Sequence, residues 1–222
     1  MQKLIAVVPV RAGSKGFPGK NTQILEGTPL YLRAALQGAR TTGRSLISTD
    51  IDEILQSEPP AHIEASRRPD QLSADYTPME SVVAHVIESE RLHEYAIVLL
   101  QATSPLRRDS DILQAIELYN SGCHDLVMSV VKKDKGILKY GTLEDGCFKA
   151  VRDPSYCFQN RQQLPEVYAP NGAIYVFSAS KFLENNCFPT SNIGVVFMSD
   201  SDSLDIDTEK DFKIAIDTLH NT

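Results

Sequence analysis

Short apolar runs alternate along the chain with segments in which apolar residues recur every three or four positions. The runs are typical of strands that are buried on both faces of a sheet, and the recurring pattern is typical of amphipathic helices. We predict strands at 3–10, 45–49, 96–101, 126–131, 172–177 and 194–198. Because strands and helices alternate, the sequence predicts an α/β fold with a mostly parallel sheet.

Helices are predicted between these strands at 29–39, 52–57 and 109–121, and further helices are predicted to begin near Thr77 and Thr208. Thr77, Pro78 and Glu80 have the spacing of a capping box, which makes Thr77 the predicted cap. The last helix is expected to turn one apolar face inward, made of Phe212, Ile214, Ala215, Ile216 and Leu219.

The pattern changes between residue 132 and about residue 170, where the apolar pieces are short and Pro, Asn and Gln are frequent. The pair Asp145-Gly146 is a tight-turn signal and predicts a hairpin. We interpret this segment as an insertion with a hairpin and an extended arm, within a single domain that covers 1–222. Such an insertion often carries part of a substrate pocket or a contact between two copies of a chain; a solvated loop region is the alternative.

The net charge of the chain limits the classes of partner that it is expected to bind. The formal net charge is −7, from 29 acidic and 22 basic residues, whereas proteins that bind duplexes or membrane surfaces are more often basic. No apolar run approaches the roughly 18–20 residues that span a bilayer, and the run that begins at Leu4 is too short for a signal peptide. We therefore expect a cytoplasmic protein that binds neither nucleic acid nor membrane.

The cysteines give no metal-binding pattern. They form no CxxC pair, and no histidine pair follows them, so a zinc site is not expected. We expect free thiols that pack as small apolar residues in the core, at Cys123, Cys147, Cys157 and Cys187.

The strongest local signal is the segment RAGSKGFPGKN at 11–21, called here the nucleotide loop, which directly follows the first predicted strand. Loops at the carboxyl ends of parallel strands are where open α/β sheets bind ligands. The glycines permit bends that bring backbone amides close to an anion, and the cations of the loop are Arg11, Lys15 and Lys20. This combination predicts a triphosphate site.

Two familiar phosphate-binding motifs are excluded for this loop. The P-loop pattern is GxxxxGK followed by Ser or Thr, but five residues separate Gly13 from Gly19 here, and Asn21 follows Lys20. The dinucleotide fingerprint GxGxxG is also absent, since Gly13 and Gly16 fit only GxxG. A flexible, solvated basic loop is the alternative.

A second signal is the pair of acids at Asp205 and Asp207. In an extended segment, residues two positions apart point to the same face. Two carboxylates held side by side need a cation or a shared proton, and Mg²⁺ accepts one or two carboxylates together with phosphate oxygens. The alternative is that Asp207 merely precedes the cap Thr208 and that both acids are solvated.

Three further positions carry polar chemistry. The strand at 96–101 delivers Gln101 to the edge of the sheet, where it could hydrogen-bond a sugar or a base; a polar turn is the alternative. Arg68, held before Pro69, could contact a base edge. Arg161 is a natural clamp for a carboxylate, and a surface salt bridge is the alternative.

In this order, the nucleotide loop and the segments LLQATSPLR (99–107), RQQLP (161–165), PNGAIY (170–175) and SLDIDTE (203–209) resemble the acylneuraminate cytidylyltransferases, or CMP-sialic acid synthetases. The resemblance extends from Ile5 to Leu219. It implies a Rossmann-like nucleotidyltransferase fold and a homodimer. It also implies that CMP is transferred from CTP to the anomeric hydroxyl of a nine-carbon 2-keto acid sugar, with release of pyrophosphate.

The resemblance also implies roles for individual residues. Catalysis is assigned to Arg11, Lys20 and Asp207, and Mg²⁺ is assigned to Asp205 and Asp207. The nucleotide-binding residues are expected to be Arg11, Gly13, Ser14, Lys15, Lys20, Asn21 and Arg68, with the last two near cytosine. The sugar-binding residues are expected to be Gln101, Arg161, Tyr175 and Phe188.

Some positions depart from the family pattern. A single Phe188 stands where an aromatic pair is expected, and Ala169 replaces a bulkier or charged residue; both changes favour a legionaminic- or pseudaminic-type sugar. The segment between Ala39 and Arg67 is shorter than the usual strand-helix-strand unit. Two alternatives stay open: a transferase for another nucleotide or a sugar 1-phosphate, and a non-catalytic nucleotide-binding module.

Overall fold

A computed structural model describes residues 2–13 and 16–220 of the chain. Its strands are β1 (Lys3–Val10), β2 (Ile24–Leu25), β3 (Thr28–Pro29), β4 (Ser45–Thr49), β5 (Ile63–Arg67), β6 (Tyr95–Leu100), β7 (Leu126–Lys133), β8 (Gly141–Glu144), β9 (Cys147–Ala150), β10 (Val167–Ser178) and β11 (Ile193–Met198). Its α-helices are α1 (Leu30–Thr42), α2 (Asp52–Gln56), α3 (Met79–Ser89), α4 (Asp109–Asn120), α5 (Ala179–Asn185) and α6 (Glu209–His220).

The central sheet has the strand order β11-β7-β10-β6-β1-β4-β5. The pairs β1–β4, β1–β6, β4–β5 and β7–β11 are parallel, and only β10 runs antiparallel to its two neighbours. The predicted α/β fold with a mostly parallel sheet is confirmed. From β1 the chain moves outward to β4 and β5, then returns to β6 on the other side of β1, so a crevice opens at the carboxyl ends of β1 and β6.

Helices cover both faces of the sheet. On one face, α1 and α4 pack on Val8 and Val98, which are fully buried. On the other face, α3 and α5 pack on Val7 and Leu99, which are also buried. Neighbouring residues of one strand therefore point into different halves of the core, which is why these strands read as continuous apolar runs.

Helix α6 adds a third, smaller cluster beside the nucleotide loop. Phe212, Ile216 and Leu219 pack there with the fully buried Leu25 and Leu30. The prediction for Ile214 is wrong, because this residue is 41% exposed. The inward stripe of α6 follows the spacing 212, 215–216 and 219, and position 214 falls outside it.

The predicted cap of α3 is also wrong. The helix begins at Met79, Pro78 occupies the cap position with an extended ψ of 142°, and no side chain caps the helix. Thr77 therefore lies one residue too far from the first turn to accept from its amides.

Four elements were not predicted, namely β2, β3, β5 and α5. The segment between Ala39 and Arg67 does contain a strand-helix-strand unit, formed by β4, α2 and β5. Strand β5 lies at the edge of the sheet and buries only Ile63 fully, so its apolar signal is weak. Strands β2 and β3 form a two-residue ladder after the nucleotide loop, and β10 begins at Val167 rather than near Gly172.

The insertion predicted between 132 and about 170 contains the expected hairpin, β8 paired with β9. Its turn residues Asp145 and Gly146 have φ values of 50° and 80°, as a type I′ turn requires. The segment from 134 to 166, called here the arm, exposes several large apolar side chains: Ile137, Tyr140, Leu143, Phe148, Val151 and Phe158.

The prediction that the cysteines lie in the core is wrong. Cys123, Cys147 and Cys187 are exposed, Cys157 is partly exposed, and all four are free thiols. They lie in turns and in the arm, outside the sheet and the helices that cover it. None of the helices in the described part of the chain has the length and apolar character needed to cross a lipid bilayer.

Candidate active site

Several loops meet at the carboxyl edge of the sheet. The nucleotide loop follows β1, Asp50 follows β4, and Arg68 follows β5. The amide of Ala12 donates to Asp50 Oδ1 at 2.9 Å, and this hydrogen bond joins the nucleotide loop to the end of β4. The amide of Ile206 donates to the carbonyl of Thr103 at 2.8 Å, which joins the acid-bearing segment to the loop after β6. The chain therefore gathers most of the sequence motifs at the crevice beside β1.

The nucleotide loop folds back on itself. Asn21 is buried, and its Nδ2 donates to the carbonyl of Arg11 at 3.0 Å. Gly19 has a φ of 65°, a left-handed conformation that starts a single 3₁₀ turn at Lys20. Asn21 thus holds the two ends of the loop together from inside. Ser14 and Lys15 were predicted to bind nucleotide, and both lie outside the described residues.

The far end of the nucleotide loop contacts the acid-bearing segment. Lys20 Nζ lies 2.8 Å from Asp207 Oδ1 and 3.0 Å from the carbonyl oxygen of Ile206. A methyl group added to Gly16 would lie 2.9 Å from the carbonyl oxygen of Asp207. Only glycine permits this approach, so Gly16 and Lys20 together fix the distance between loop and acids.

Two arginines form the opposite side of the crevice. Arg68 is buried, and its Nη2 donates to the carbonyl of Ser48 at 2.7 Å. Burial lowers the pKa of Arg68 to about 10; the charge of Asp50 raises it and that of Arg11 lowers it. The guanidinium therefore stays protonated at neutral pH. Arg11 forms an ion pair with Asp75 in the segment before α3, and Gly13 lies against the Arg11 side chain.

The two acids have different surroundings. Asp207 has a side chain that is 71% exposed and is paired with Lys20. Part of Asp205 is open to water, but its surroundings still desolvate the carboxyl and raise its pKa; the charges of Asp207 and Asp211 act in the same direction. A hydrogen bond with Thr103 and the charge of Lys20 oppose this rise. The shared electrostatics indicate that Asp205, Asp207 and Lys20 are close neighbours.

No third acid joins this pair as a ready-made cage. In residues 2–13 and 16–220, no group of three or more His, Cys, Asp or Glu side chains is arranged to hold a metal ion. Any cation at Asp205 and Asp207 would therefore take its other oxygens from water or from a ligand.

Residues predicted to contact the sugar lie in two places. Tyr175 is half-buried on β10; burial raises its pKa, and the charge of Asp205 raises it further. Its ring centroid lies 5.9 Å from that of Phe188. Phe188 also packs at 5.2 Å on Phe177 and 5.1 Å on Phe182, so part of its surface belongs to the core. Gln101 is half-buried at the end of β6.

Arg161 lies elsewhere. It belongs to the arm, where its Nη1 donates to Asp134 Oδ2 at 3.0 Å, and both side chains are about two-thirds exposed. No hydrogen bond or ion pair joins it to Gln101 or Tyr175 within the described chain. In the single chain the arrangement is that of a surface salt bridge.

Asn171 was not singled out from the sequence as a site residue, although it helps to build the site. Its Nδ2 donates to Ser203 Oγ at 2.9 Å, and its Oδ1 accepts from Ser129 Oγ. Asn171 thereby ties the segment that leads to the acids to β7 and β10. Asp50 was also missed as a site residue; its position directly after a strand that ends beside β1 was a usable signal.

Comparison with known proteins shows which family the chain resembles. A family model described as cytidylyltransferase matches residues 5–192. The chain is 31% identical to an N-acylneuraminate cytidylyltransferase of Streptococcus agalactiae serotype V, over 95% of this chain and 52% of the relative. It is 29% identical to a CMP-N,N'-diacetyllegionaminic acid synthase of Legionella pneumophila, over 96% of this chain and 94% of the relative. The chain thus spans about half the length of the N-acylneuraminate relatives.

Solved structures share the fold at low sequence identity. A CMP:2-keto-3-deoxy-manno-octonic acid synthetase complexed with CTP superposes with a TM-score of 0.74, at 14% identity and over 99% of both chains. The predicted nucleotidyltransferase fold is confirmed. Because the family model covers well over half of the sequence, the chain belongs to the cytidylyltransferase family.

Proposed function

We propose that this chain transfers CMP from CTP to the anomeric hydroxyl of a nine-carbon 2-keto acid sugar and releases pyrophosphate. The observation that carries the proposal is the convergence of Lys20 and Asp207 at the crevice beside β1, with Lys20 Nζ 2.8 Å from Asp207 Oδ1. Family membership and the names of the relatives support it.

In the proposed reaction the main task of the protein is to neutralise the charge that develops on the phosphates; no covalent bond to the protein is formed. The anomeric oxygen attacks the α-phosphorus, the bond from that phosphorus to the bridging oxygen breaks, and the electron pair leaves with pyrophosphate. Cations that face the phosphates stabilise this growing charge, which is usually the largest catalytic contribution. Arg11 and Lys20 are the described cations of the loop, and we assign them this role.

We propose that Asp205 and Asp207 hold Mg²⁺. The residues fit the ion, since Mg²⁺ takes one or two carboxylates and completes its shell with water and phosphate oxygens. Burial raises the pKa of Asp205, and the charge of Asp207 raises it further; a divalent cation would relieve this repulsion. Bound there, the ion would supply neutralisation of phosphate oxygens. Asp207 then orients the metal or helps to remove the proton of the sugar hydroxyl.

We propose that cytosine lies against Asn21 and Arg68, and that the sugar lies along Gln101, Tyr175 and Phe188, with Arg161 pairing with its carboxylate. Phe188 packs against three aromatic rings, Tyr175 among them, and is only partly buried. A sugar of the legionaminic or pseudaminic type is favoured by Ala169 and the single Phe188. The relative named as a diacetyllegionaminic acid synthase supports this choice.

We also propose a homodimer formed through the arm. Its large apolar side chains, such as Leu143 at 77% and Phe158 at 92% exposure, are not covered by the described chain. Tyr168 and Phe197 meet edge to face with centroids 5.0 Å apart, and both are exposed on the same end of the sheet. Apolar surface of this extent supports packing against a second copy.

The test is pyrophosphate release with Mg²⁺, measured across CTP, GTP, UTP and ATP against a panel of nine-carbon keto acids and sugar 1-phosphates. Release with CTP and a keto acid supports the proposal and identifies the acceptor. Release with another nucleotide or with a sugar 1-phosphate overturns the specificity. Nucleotide binding without release for any pair overturns the proposed catalysis.

A further inference from the structure

A second cavity lies apart from the candidate active site. A cleft of about 550 Å³ opens between α1, the start of α4 and the end of α6. Its walls include four arginines: Arg33, Arg40, Arg107 and Arg108. Neither the cations nor the acids assigned to the nucleotide site line this cleft, so the proposed function does not account for these arginines.

Arg107 is the buried member of the group, with 2% exposure. Its Nη1 donates to the carbonyls of Ala173 at 2.7 Å and Gln101 at 3.2 Å, and its Nη2 donates to Gln37 Oε1 at 3.0 Å. Its Nε has no hydrogen-bond partner. Burial lowers the pKa of Arg107 to about 10, so the group is still a cation at neutral pH.

This buried cation lacks a direct counter-ion. In the described part of the chain, the partners of its terminal nitrogens are carbonyl and amide oxygens, and no carboxylate forms an ion pair with it. A buried charge without an opposite charge is costly to the folded state. An anion in the cleft that Arg107 lines would therefore lower that cost.

The other three arginines reach the surface of the cleft. Arg40 donates hydrogen bonds from Nε and Nη2 to the carboxylate of Asp109. Arg108 donates from Nη2 to Asp202. Arg33 is held more loosely, with Nη2 3.9 Å from Glu26. Each guanidinium carries five N–H donors, so each has N–H groups beyond these contacts that a further anion can engage.

The position of the arginines adds to the positive potential. Arg108 occupies the cap position of α4, and Arg107 precedes it. The amino end of a helix carries partial positive charge, where cations are unfavourable and anions are stabilised. Asp109 and Asp111 in the first turn offset part of this charge. Glu26, Asp109 and Asp202 pair with Arg33, Arg40 and Arg108. Arg107 is therefore the guanidinium of the cleft that has no ion pair of its own within the described chain, and the charges of Asp111 and Asp109 act on it without direct contact.

We propose that this cleft binds a small molecule that carries a phosphate group, either free phosphate or a phosphate monoester, at a site separate from the nucleotide site. Guanidinium groups pair bidentately with phosphate oxygens. Leu36, Leu106 and Leu219 also line the cleft and provide apolar contact for the organic part of an ester. Since Arg107 joins β6 to β10, the bound anion stabilises the connection between these two strands.

The test uses isothermal titration calorimetry on the full chain with two probes, inorganic phosphate and glycerol 3-phosphate. The variants are Arg40→Gln and the double change Arg33→Gln with Arg108→Gln. Arg44→Gln is the matched control, because Arg44 pairs bidentately with Glu64 as Arg40 does with Asp109. We expect both cleft variants to lose affinity at least about tenfold and Arg44→Gln to keep it.

Lys20→Ala separates this site from the nucleotide loop. We expect Lys20→Ala to weaken CTP binding and to leave the cleft component of phosphate binding intact, while Arg40→Gln does the reverse. A lower dissociation constant for glycerol 3-phosphate than for inorganic phosphate would identify a phosphate monoester as the ligand class. The opposite order would identify free phosphate. Equal affinity in wild type and cleft variants, no measurable binding to wild type, or loss of all phosphate binding in Lys20→Ala would overturn the proposal.

Discussion

Lys20 Nζ and Asp207 Oδ1 lie 2.8 Å apart although the residues are separated by 187 positions in the sequence. The same ammonium group also donates to the carbonyl of Ile206. The cation and the acid that we assign to catalysis therefore neutralise each other. A triphosphate that draws Lys20 toward its oxygens would leave Asp207 available to a metal ion.

Asp207→Ala tests the metal assignment. We expect kcat to fall at least about a hundredfold, because the change removes a charge at the reacting phosphate. The free energy of unfolding should change by no more than about 0.5 kcal/mol, since the side chain is 71% exposed. Pyrophosphate release and urea unfolding measure the two quantities. Glu209→Ala removes a similarly exposed carboxylate nearby and should keep full turnover; unchanged turnover in Asp207→Ala would refute the assignment.

Arg161→Ala tests the proposed carboxylate clamp. If Arg161 binds the sugar, its loss should raise KM for the sugar about tenfold or more and leave KM for CTP unchanged. Steady-state kinetics with each substrate varied in turn provides the measurement. Asp134→Ala is the matched control, because it breaks the same ion pair but keeps the guanidinium. Equal effects of the two substitutions would show that only the salt bridge matters.

Asp205→Asn tests the electrostatics of the acid pair. The pKa of Asp205 is raised in the folded chain, so the folded state binds its proton more tightly than the unfolded chain does. The contribution of Asp205 to stability therefore falls as pH rises from the ordinary aspartate pKa through the raised value. Above that window we expect Asp205→Asn to be more stable than wild type, by about 0.5 kcal/mol or less.

Thermal unfolding across the pH range measures this difference. Below the ordinary pKa of aspartate the wild-type carboxyl is protonated in both states, so the two proteins should unfold at nearly the same temperature. A wild type that is the more stable protein at neutral pH without metal would contradict the assigned desolvation of Asp205 and its repulsion by Asp207.

Gly16→Ala tests the close contact between loop and acids. The added methyl group would lie 2.9 Å from the carbonyl oxygen of Asp207, so the nucleotide loop must move away from the acid-bearing segment. We expect the dissociation constant for CTP to rise about tenfold, in line with a loss of about 1.4 kcal/mol, measured by calorimetry. Gly43→Ala is a control for glycine removal in general: its φ is 81° and its surroundings are open, so it should lose stability and keep CTP affinity.

Much of the fold was predictable because the strands near β1 are buried on both faces. Continuous apolar runs at β1, β6 and β7 gave nearly correct bounds. Strand β5 was missed because only Ile63 is fully buried, and an edge strand needs few apolar residues. The cap of α3 was misplaced because the backbone of Pro78 is extended there, which local spacing alone does not reveal.

The candidate site was predictable as far as its motifs lie directly after strands. The nucleotide loop follows that rule, whereas Asp205 and Asp207 lie several residues beyond the end of β11 and were found from their i, i+2 spacing. The structure brings the loop and the acids together. The contact of Ala12 with Asp50 and that of Asn171 with Ser203 join segments that are distant in sequence. Such tertiary hydrogen bonds depend on strand order, and no local pattern carries that information.

The arm leaves the sheet at the end of β7 and returns as β10, and these two strands are antiparallel neighbours. Its two ends are therefore anchored about one strand spacing apart, close to 4.8 Å. A segment that departs and re-enters at one place can be lengthened, shortened or exchanged without changing the register of any other strand. The sheet and the nucleotide loop can thus stay constant while evolution, or an engineer, grafts new arms onto the same two strands.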